Sequence, residues 1–368
     1  MAESTWAAEL SDLVVRLQLT DGKLWWSAAK GGVTLTQPRP ISLRTADGTD
    51  LMTGLSFASS SGRTVEETYE LAVGKRTGTH RVEHQERSVR LLRSDGRHVT
   101  VVLRAAHDGV ALRTVLEGAS GLRLRGSDVS LRLPESAAVW PLTYTPWYET
   151  TRFTSTLDAL EAGEYGLPFL AQVGDETYLL MSESDLDGRY GGSFVRYDGR
   201  GELAFTLADD VEVAADAVAT PWRVLIAGDL ATIVASHLVD DLAEAADNPV
   251  PAWVRPGRAG WSWWSDFYSG AHLDKQLRLL DYAAQRGWEY LLVDCGWDAA
   301  WMPELVSAAS KQGIGVFVWV SWDHLRIHTQ LAEWASWGVA GIKVDFMESE
   351  AQERYRWYDA VIAECNRA

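Results

Sequence analysis

Four aspartates stand at or just past the ends of hydrophobic runs between Gly260 and Phe346: Asp266 in GWSWWSD, Asp294 in YLLVDCGWD, Asp323 in GVFVWVSWD and Asp345 in GIKVDF. A carboxylate at the carboxyl end of a parallel strand is where an α/β barrel builds its chemistry. On the last run, period-two alternation puts Lys343 and Asp345 on one face and Ile342, Val344 and Phe346 on the other. The apolar face suits covering helices, and the charged pair suits a barrel axis. A lysine beneath the carboxylate would keep it ionised, as a carboxylate nucleophile must be. The competing reading makes Asp345 the cap of the next helix. Ser349 and Gln352 already have the S-x-x-Q spacing of a capping box, so that cap is taken.

The other candidates carry weaker signals. Asp294 faces inward with Leu292, which suits either a contact to sugar hydroxyls or a structural place on the rim. Asp266 and Asp323 read as loop or cap residues. Trp263 offers a flat face to a sugar ring, while Trp264, on the opposite parity, reads as packing. Cys295 is either a reactive thiol or, on the better reading, an inert buried one. His324 and His328 are spaced i, i+4 but lack an H-E-x-x-H context or a third ligand, which argues against a metal site.

The elements that must position these residues follow from the periodicity between them. Leu273, Leu277, Leu280 and Ala284 recur at helical spacing and end at Gly287; Met302, Leu305, Val306 and Ala309 end at Gly313; Leu331, Trp334 and Ala335 end at Gly338. A buried-looking strand follows each glycine, the signature of consecutive right-handed βα units on a parallel sheet. No glycine-rich phosphate loop follows the first strand, which favours a barrel over a dinucleotide fold. Four units fit in 257–368, the last helix running from Ser349 to about Asn366, whereas a closed (β/α)8 TIM-type barrel needs eight units and about 250 residues. The expectation is the first half of such a barrel, either a fragment or closed by a partner, with open edges that offer a route to self-association.

Upstream, 1–228 reads as an antiparallel β-sandwich. Turn signals at DGK, KGG, ADGT, SDGR, HDGV and YDGR separate alternating runs such as SVRLLR and HVTVVLRA. Between the two regions, 229–256 reads as a linker: helical spacing in DLATIVASHLVDDLAEAAD, then the proline-broken connector NPVPAWVRPG.

Composition narrows the partners. The 368 residues are 46% hydrophobic and 23% charged, as in ordinary globular proteins, and the net charge of -17 argues against nucleic acid and acidic membranes. Two cysteines make no disulfide framework. No apolar run is long enough to span a bilayer. The opening MAESTWAAELSDL lacks a basic and then apolar leader, so nothing in it directs export and the default expectation is cytoplasmic. Eighteen tryptophans suit sugar faces as well as cores.

In their joint order, LLMSESDLDGRY, TPWRVLIAG, WVRPGRAGWSWWSD, RGWEYLLVDCGW and WGVAGIKVDFMESEAQ resemble glycoside hydrolase family 97 from about Leu10 onward. The resemblance implies a sandwich, a linker helix, a catalytic barrel and a small C-terminal β domain, with relatives often exported. Its retaining branch, similar to α-galactosidases, carries an aspartate nucleophile after the fourth strand in a KVDF-like context, which Asp345 matches. Its inverting branch lacks a carboxylate there. The resemblance places the general acid on a glutamate beyond the fourth strand, with no counterpart here. From their own facing and chemistry, Asp294, Lys343 and Trp263 are the substrate-binding candidates. The resemblance also puts a glutamate where this chain has Cys295. Calcium is implied as cofactor, with Glu183 of SESDL as one ligand and the others beyond this chain; one hard-oxygen ligand cannot hold it alone. Glu149 matches a further family glutamate and receives no role. The expected substrate is an oligosaccharide or glycoside. The alternative is a non-catalytic carbohydrate-binding or assembly fragment, and the strand pattern alone also admits an unrelated barrel lyase or isomerase.

Overall fold

The computed structural model describes residues 4–244 and 251–368, in two compact units: Met1–Ala245 with Glu350–Trp357, and Ala246–Ser349 with Tyr358–Ala368. The segment Glu350–Trp357, which sequence reading leaves with the barrel region, belongs by its packing to the first unit.

The first unit is built of two antiparallel sheets. One has Ser4–Leu10 at its edge and runs through Leu13–Thr20, Lys23–Lys30, Val33–Thr45, Arg123–Arg132, Glu202–Leu207 and Ser193–Tyr197 to Gly163–Tyr165. The other includes Phe169–Gln172, Tyr178–Ser184, Trp222–Gly228, Gly109–Glu117, His98–Ala105 and the long hairpin of Gly78–Arg93 with Leu55–Leu71. Alternation decides which side chains meet. In HVTVVLRA, Val99, Val101, Leu103 and Ala105 are fully buried and the residues between them are not. They share one core with Leu17 and Trp26 of the other sheet. At the DGK signal, Asp21 and Gly22 take φ of 50° and 71°, and the flanking strands pair from Thr20 to Lys23.

The linker helix forms as two short pieces, Leu230–Ala235 and Leu238–Asp241. Asp229 caps the first by accepting the Thr232 N–H, and Ser236 leaves helical conformation at ψ 136° while its hydroxyl accepts the Leu238 N–H. The start of the NPVPAWVRPG connector lies outside the described residues, and the part that follows, up to Arg258, is in neither helix nor strand.

The second unit holds a four-stranded parallel sheet in chain order: Ala259–Trp261, Tyr290–Val293, Gly315–Ser321 and Gly341–Asp345. Helices Leu273–Gln285, Met302–Lys311 and Gln330–Trp337 connect them, as the helical spacing predicts. Gly338 ends the third at φ 92°, its N–H bonding to carbonyls of the last turn, a conformation that a Cβ would strain. One face of the sheet buries Leu291, Val293, Val316, Val318 and Val320, and Leu280, Leu305, Ala309 and Trp334 of the helices are buried as well. The opposite face carries Trp261, Leu292, Phe317, Trp319 and Lys343.

Three local expectations fail. Phe346 does not continue the strand towards the helices: it turns to φ 59°, is half exposed, and sets its ring edge-on to Trp319 at 5.7 Å. The S-x-x-Q capping box does not close, because the last helix begins at Gln352 and the Gln352 amide is engaged elsewhere. Its Oε1 accepts from the Glu212 N–H at 3.0 Å, and its Nε2 donates to the carbonyls of Arg189 and Glu212. Trp264 does not pack inside: it is 80% exposed, since the first strand stops at Trp261 and the parity argument lapses in the turn that follows.

Candidate active site

The parallel strands align their carboxyl ends. Trp261 pairs with Leu292, Trp319 with Lys343, and Ser321 with Asp345. This register brings Asp294, one residue past the second strand, beside Lys343 on the fourth.

Lys343 Nζ lies 3.0 Å from Asp294 Oδ2 and 3.4 Å from Asp345 Oδ2, and 4.9 Å from the centroid of the Trp261 ring. Asp294 is buried. Its Oδ2 also accepts from Trp261 Nε1 at 2.6 Å, and its Oδ1 accepts from the Cys295 N–H at 2.8 Å. Every one of these partners is a donor, so Asp294 serves as an acceptor facing the ammonium.

Asp345 is open to solvent over about a third of its side chain. Its Oδ2 accepts from Trp319 Nε1 at 2.9 Å, and its Oδ1 from the Phe346 N–H at 2.9 Å. Burial alone would raise its pKa. The Trp319 indole, the Phe346 N–H and Lys343 together outweigh that effect and hold the carboxyl below the usual aspartate range. The indole donor from the neighbouring strand thus acts on Asp345 beside Lys343, which is shared with Asp294. Asp345 is therefore a part-exposed, ionised carboxylate with lone pairs left for an electrophile.

The structure brings Asp294, Lys343 and Asp345 together. Trp263 is not bonded to them; it lies in the turn after the first strand, edge-on to Phe267 at 5.2 Å and Tyr268 at 5.1 Å. The tryptophan that reaches the trio from that strand is Trp261. Trp261 and Trp319 are members of this cluster that sequence reasoning passed over, although strand parity puts both on the face of Lys343. Cys295 is half-buried, and burial first, then Asp294, pushes its thiol pKa up, which keeps it protonated. Asp266 pairs with Lys275 at 2.7 Å in its loop, and Asp323 accepts from the Ser321 hydroxyl at the start of a short helical turn. His324 and His328 face Asp323 and Glu364 separately. Glu149 is exposed.

The Glycosyl-hydrolase 97 N-terminal model matches residues 11–245, and the Glycoside hydrolase 97 model matches residues 253–368. The chain belongs to the glycoside hydrolase 97 family. It is similar to a "Probable retaining alpha-galactosidase" of Streptomyces bingchenggensis, with 36% identity over 98% of this chain and 60% of the relative. It is also similar to a "Retaining alpha-galactosidase" of Bacteroides thetaiotaomicron, with 23% identity over 90% of this chain and 58% of the relative. The chain thus spans about 60% of the length of these curated relatives. In fold it resembles a glycoside hydrolase family 97 enzyme from Pseudoalteromonas sp. strain K8, solved with acarbose, at a TM-score of 0.86, 15% identity, and coverage of 98% of this chain and 65% of that one.

The calcium that the family resemblance implies can be tested against the residues present. Glu183 is largely buried; its Oε1 accepts from the Ser193 N–H at 3.0 Å and its Oε2 takes Nη1 of the buried Arg223. A guanidinium on that oxygen is the opposite of what a dication needs beside it. Among the described residues no group of three or more His, Cys, Asp or Glu side chains could hold a metal ion. The described residues thus do not by themselves make a calcium site. Among them, also, no helix is long and apolar enough to cross a membrane.

Proposed function

We propose that the whole protein is a retaining exo-acting α-glycosidase, α-galactosidase-like in substrate class, with Asp345 as its nucleophile. The observation that carries the reading is the state of Asp345: ionised, part-exposed, at the carboxyl end of the fourth parallel strand, and steadied by three donors from two strands and the following turn. The relative with 36% identity, named as a probable retaining α-galactosidase, supports the substrate class.

In this mechanism an oxygen of Asp345 attacks the anomeric carbon. The bond from that carbon to the leaving oxygen breaks, and a carboxylic acid gives the leaving oxygen its proton. Water then attacks the glycosyl-enzyme, passes its proton to the same acid residue, now a base, and restores the Asp345 carboxylate. The acid belongs about 5 Å from the nucleophile. Asp294 cannot fill that role, because every partner of its carboxylate is a donor and none would accept its proton. The acid is therefore assigned to the part of the whole protein outside this chain. Asp294 and Lys343 form the fixed floor beneath the sugar, and the barrel is closed by strands beyond the four seen here.

The test uses the whole protein, an aryl α-galactoside and a 2-deoxy-2-fluoro-galactosyl fluoride. The expected result is α-galactose as first product, a label on the peptide holding Asp345, and no turnover by Asp345→Ala. Turnover by Asp345→Ala equal to wild type would end the proposal; an isolated chain that binds sugar, within a whole protein that turns none over, would favour the non-catalytic alternative.

A further inference from the structure

We propose that Trp319 is a positioning residue for Asp345: its indole N–H, delivered from the neighbouring strand, readies the carboxylate for attack and stabilises it again when it departs. The inference rests on the nucleophile role proposed above.

The geometry separates Trp319 from the other donors. Lys343 divides its ammonium between Asp345 and Asp294, and the Phe346 N–H belongs to the residue next in the chain. Trp319 Nε1 is the donor that comes from another strand, at 2.9 Å, and Asp345 Oδ2 is the acceptor the structure gives it. The ring is also held in place. Its own carbonyl accepts from Trp297 Nε1 at 2.7 Å, Trp297 is in turn braced edge-on by Trp334 at 5.4 Å, and Phe346 meets the Trp319 ring edge-on at 5.7 Å. The charged groups around Asp345 are Lys343 on its own strand and, through Lys343, Asp294 from the second strand. From the third strand Ser321 stands in register with Asp345, but its hydroxyl goes to Asp323. The third strand's contribution to Asp345 is thus a neutral donor, which stabilises the anion without adding a charge that the sugar cation must face.

The donor acts differently in the two halves of the reaction. When an Asp345 oxygen bonds to the anomeric carbon, the leaving oxygen departs with the proton of the acid residue, and negative charge leaves the carboxylate. The N–H then counts for less. In the second half, water bonds to that carbon, its proton passes to the acid residue, the ester bond breaks, and charge returns to the carboxylate where the N–H is already aimed. Without the donor, Asp345 protonates more readily and makes a poorer leaving group.

The test compares wild-type whole protein with Trp319→Phe, and with a form carrying 3-benzothienylalanine in place of Trp319, which keeps the ring's shape and lacks the N–H. The substrate is an aryl α-galactoside with an activated leaving group. The expected result in both forms is an acidic limb of kcat/KM moved up by about one pH unit, and kcat and KM both lower by about tenfold with a burst of phenol equal to the enzyme present. An unmoved limb without a burst in the benzothienyl form would overturn the inference, whether or not the Phe variant folds. Asp345→Ala, run in parallel, separates the two claims: turnover in that variant removes the nucleophile reading, whereas an inactive Asp345→Ala beside a silent benzothienyl form removes only the role of Trp319.

Discussion

Lys343 and Asp294 form an ion pair across the parallel sheet, from the fourth strand to the residue that follows the second, at 3.0 Å, although the third strand lies between them in the hydrogen-bonding order. This span is possible because the twist and common direction of the strands bring residues of equal parity together on one face. The same ammonium reaches Asp345, so the two acidic ends of the sheet are joined by one cation.

Removing that cation should be felt at both ends. For Lys343→Met, a cost to stability of about 1–3 kcal/mol is expected, because Asp294 stays buried without its counter-ion while Trp261 and the Cys295 N–H still bond to it. Urea unfolding of the chain measures this. In the whole protein the same variant should raise the acidic limb of kcat/KM, and an unchanged limb would show that Lys343 serves Asp294 alone.

The depressed pKa of Asp345 fixes the sign of its pH dependence. A carboxyl held below its unfolded value contributes stability above that value, about pH 4 for an aspartate, and loses it as pH falls through the lower folded value. Labelling of Asp345 by the fluorinated substrate should therefore persist down to about pH 4 and fail only below it. A labelling rate that halves near pH 6 from the titration of Asp345 would contradict the donor arrangement.

Gly270 lies against the backbone of the candidate site. A Cβ there would stand 2.3 Å from the Asp294 carbonyl oxygen and 2.6 Å from that of Cys295, and neither backbone atom can swing aside. Gly270→Ala is expected to cost about 1–3 kcal/mol and, in the whole protein, to lower kcat more than thermal stability at the assay temperature explains. A variant with wild-type melting and turnover would show that the loop is free to move.

Arg223 and Glu183 make a buried ion pair in the first unit, with Arg223 1% exposed. Arg223→Met leaves the Glu183 carboxylate with Ser193 and without its cation, beside the charge of Glu350, and should destabilise that unit by about 3–5 kcal/mol. Because Arg223 occupies an oxygen of Glu183, neither calcium nor a chelator is expected to shift the melting temperature of this chain. A rise with millimolar calcium would mean that the guanidinium gives way.

The amino-acid sequence by itself determined the elements and their parity. The turn dipeptides, the buried alternation of HVTVVLRA, the helices ending before Gly287, Gly313 and Gly338, and the placing of Lys343 and Asp345 on one strand face all follow from local periodicities of two and 3.6. Tertiary structure decided what those side chains meet. Trp261 and Trp319 could not be told apart from the other tryptophans until strand register set their N–H groups against Asp294 and Asp345. Trp264 and Phe346 left their expected faces because each lies past the end of a strand, where parity no longer holds. Gln352 abandoned its capping box for backbone groups far away in the chain. Hydrogen-bond partners across strands depend on register and strand ends, which are set by packing over the whole sheet and not by neighbours in the chain.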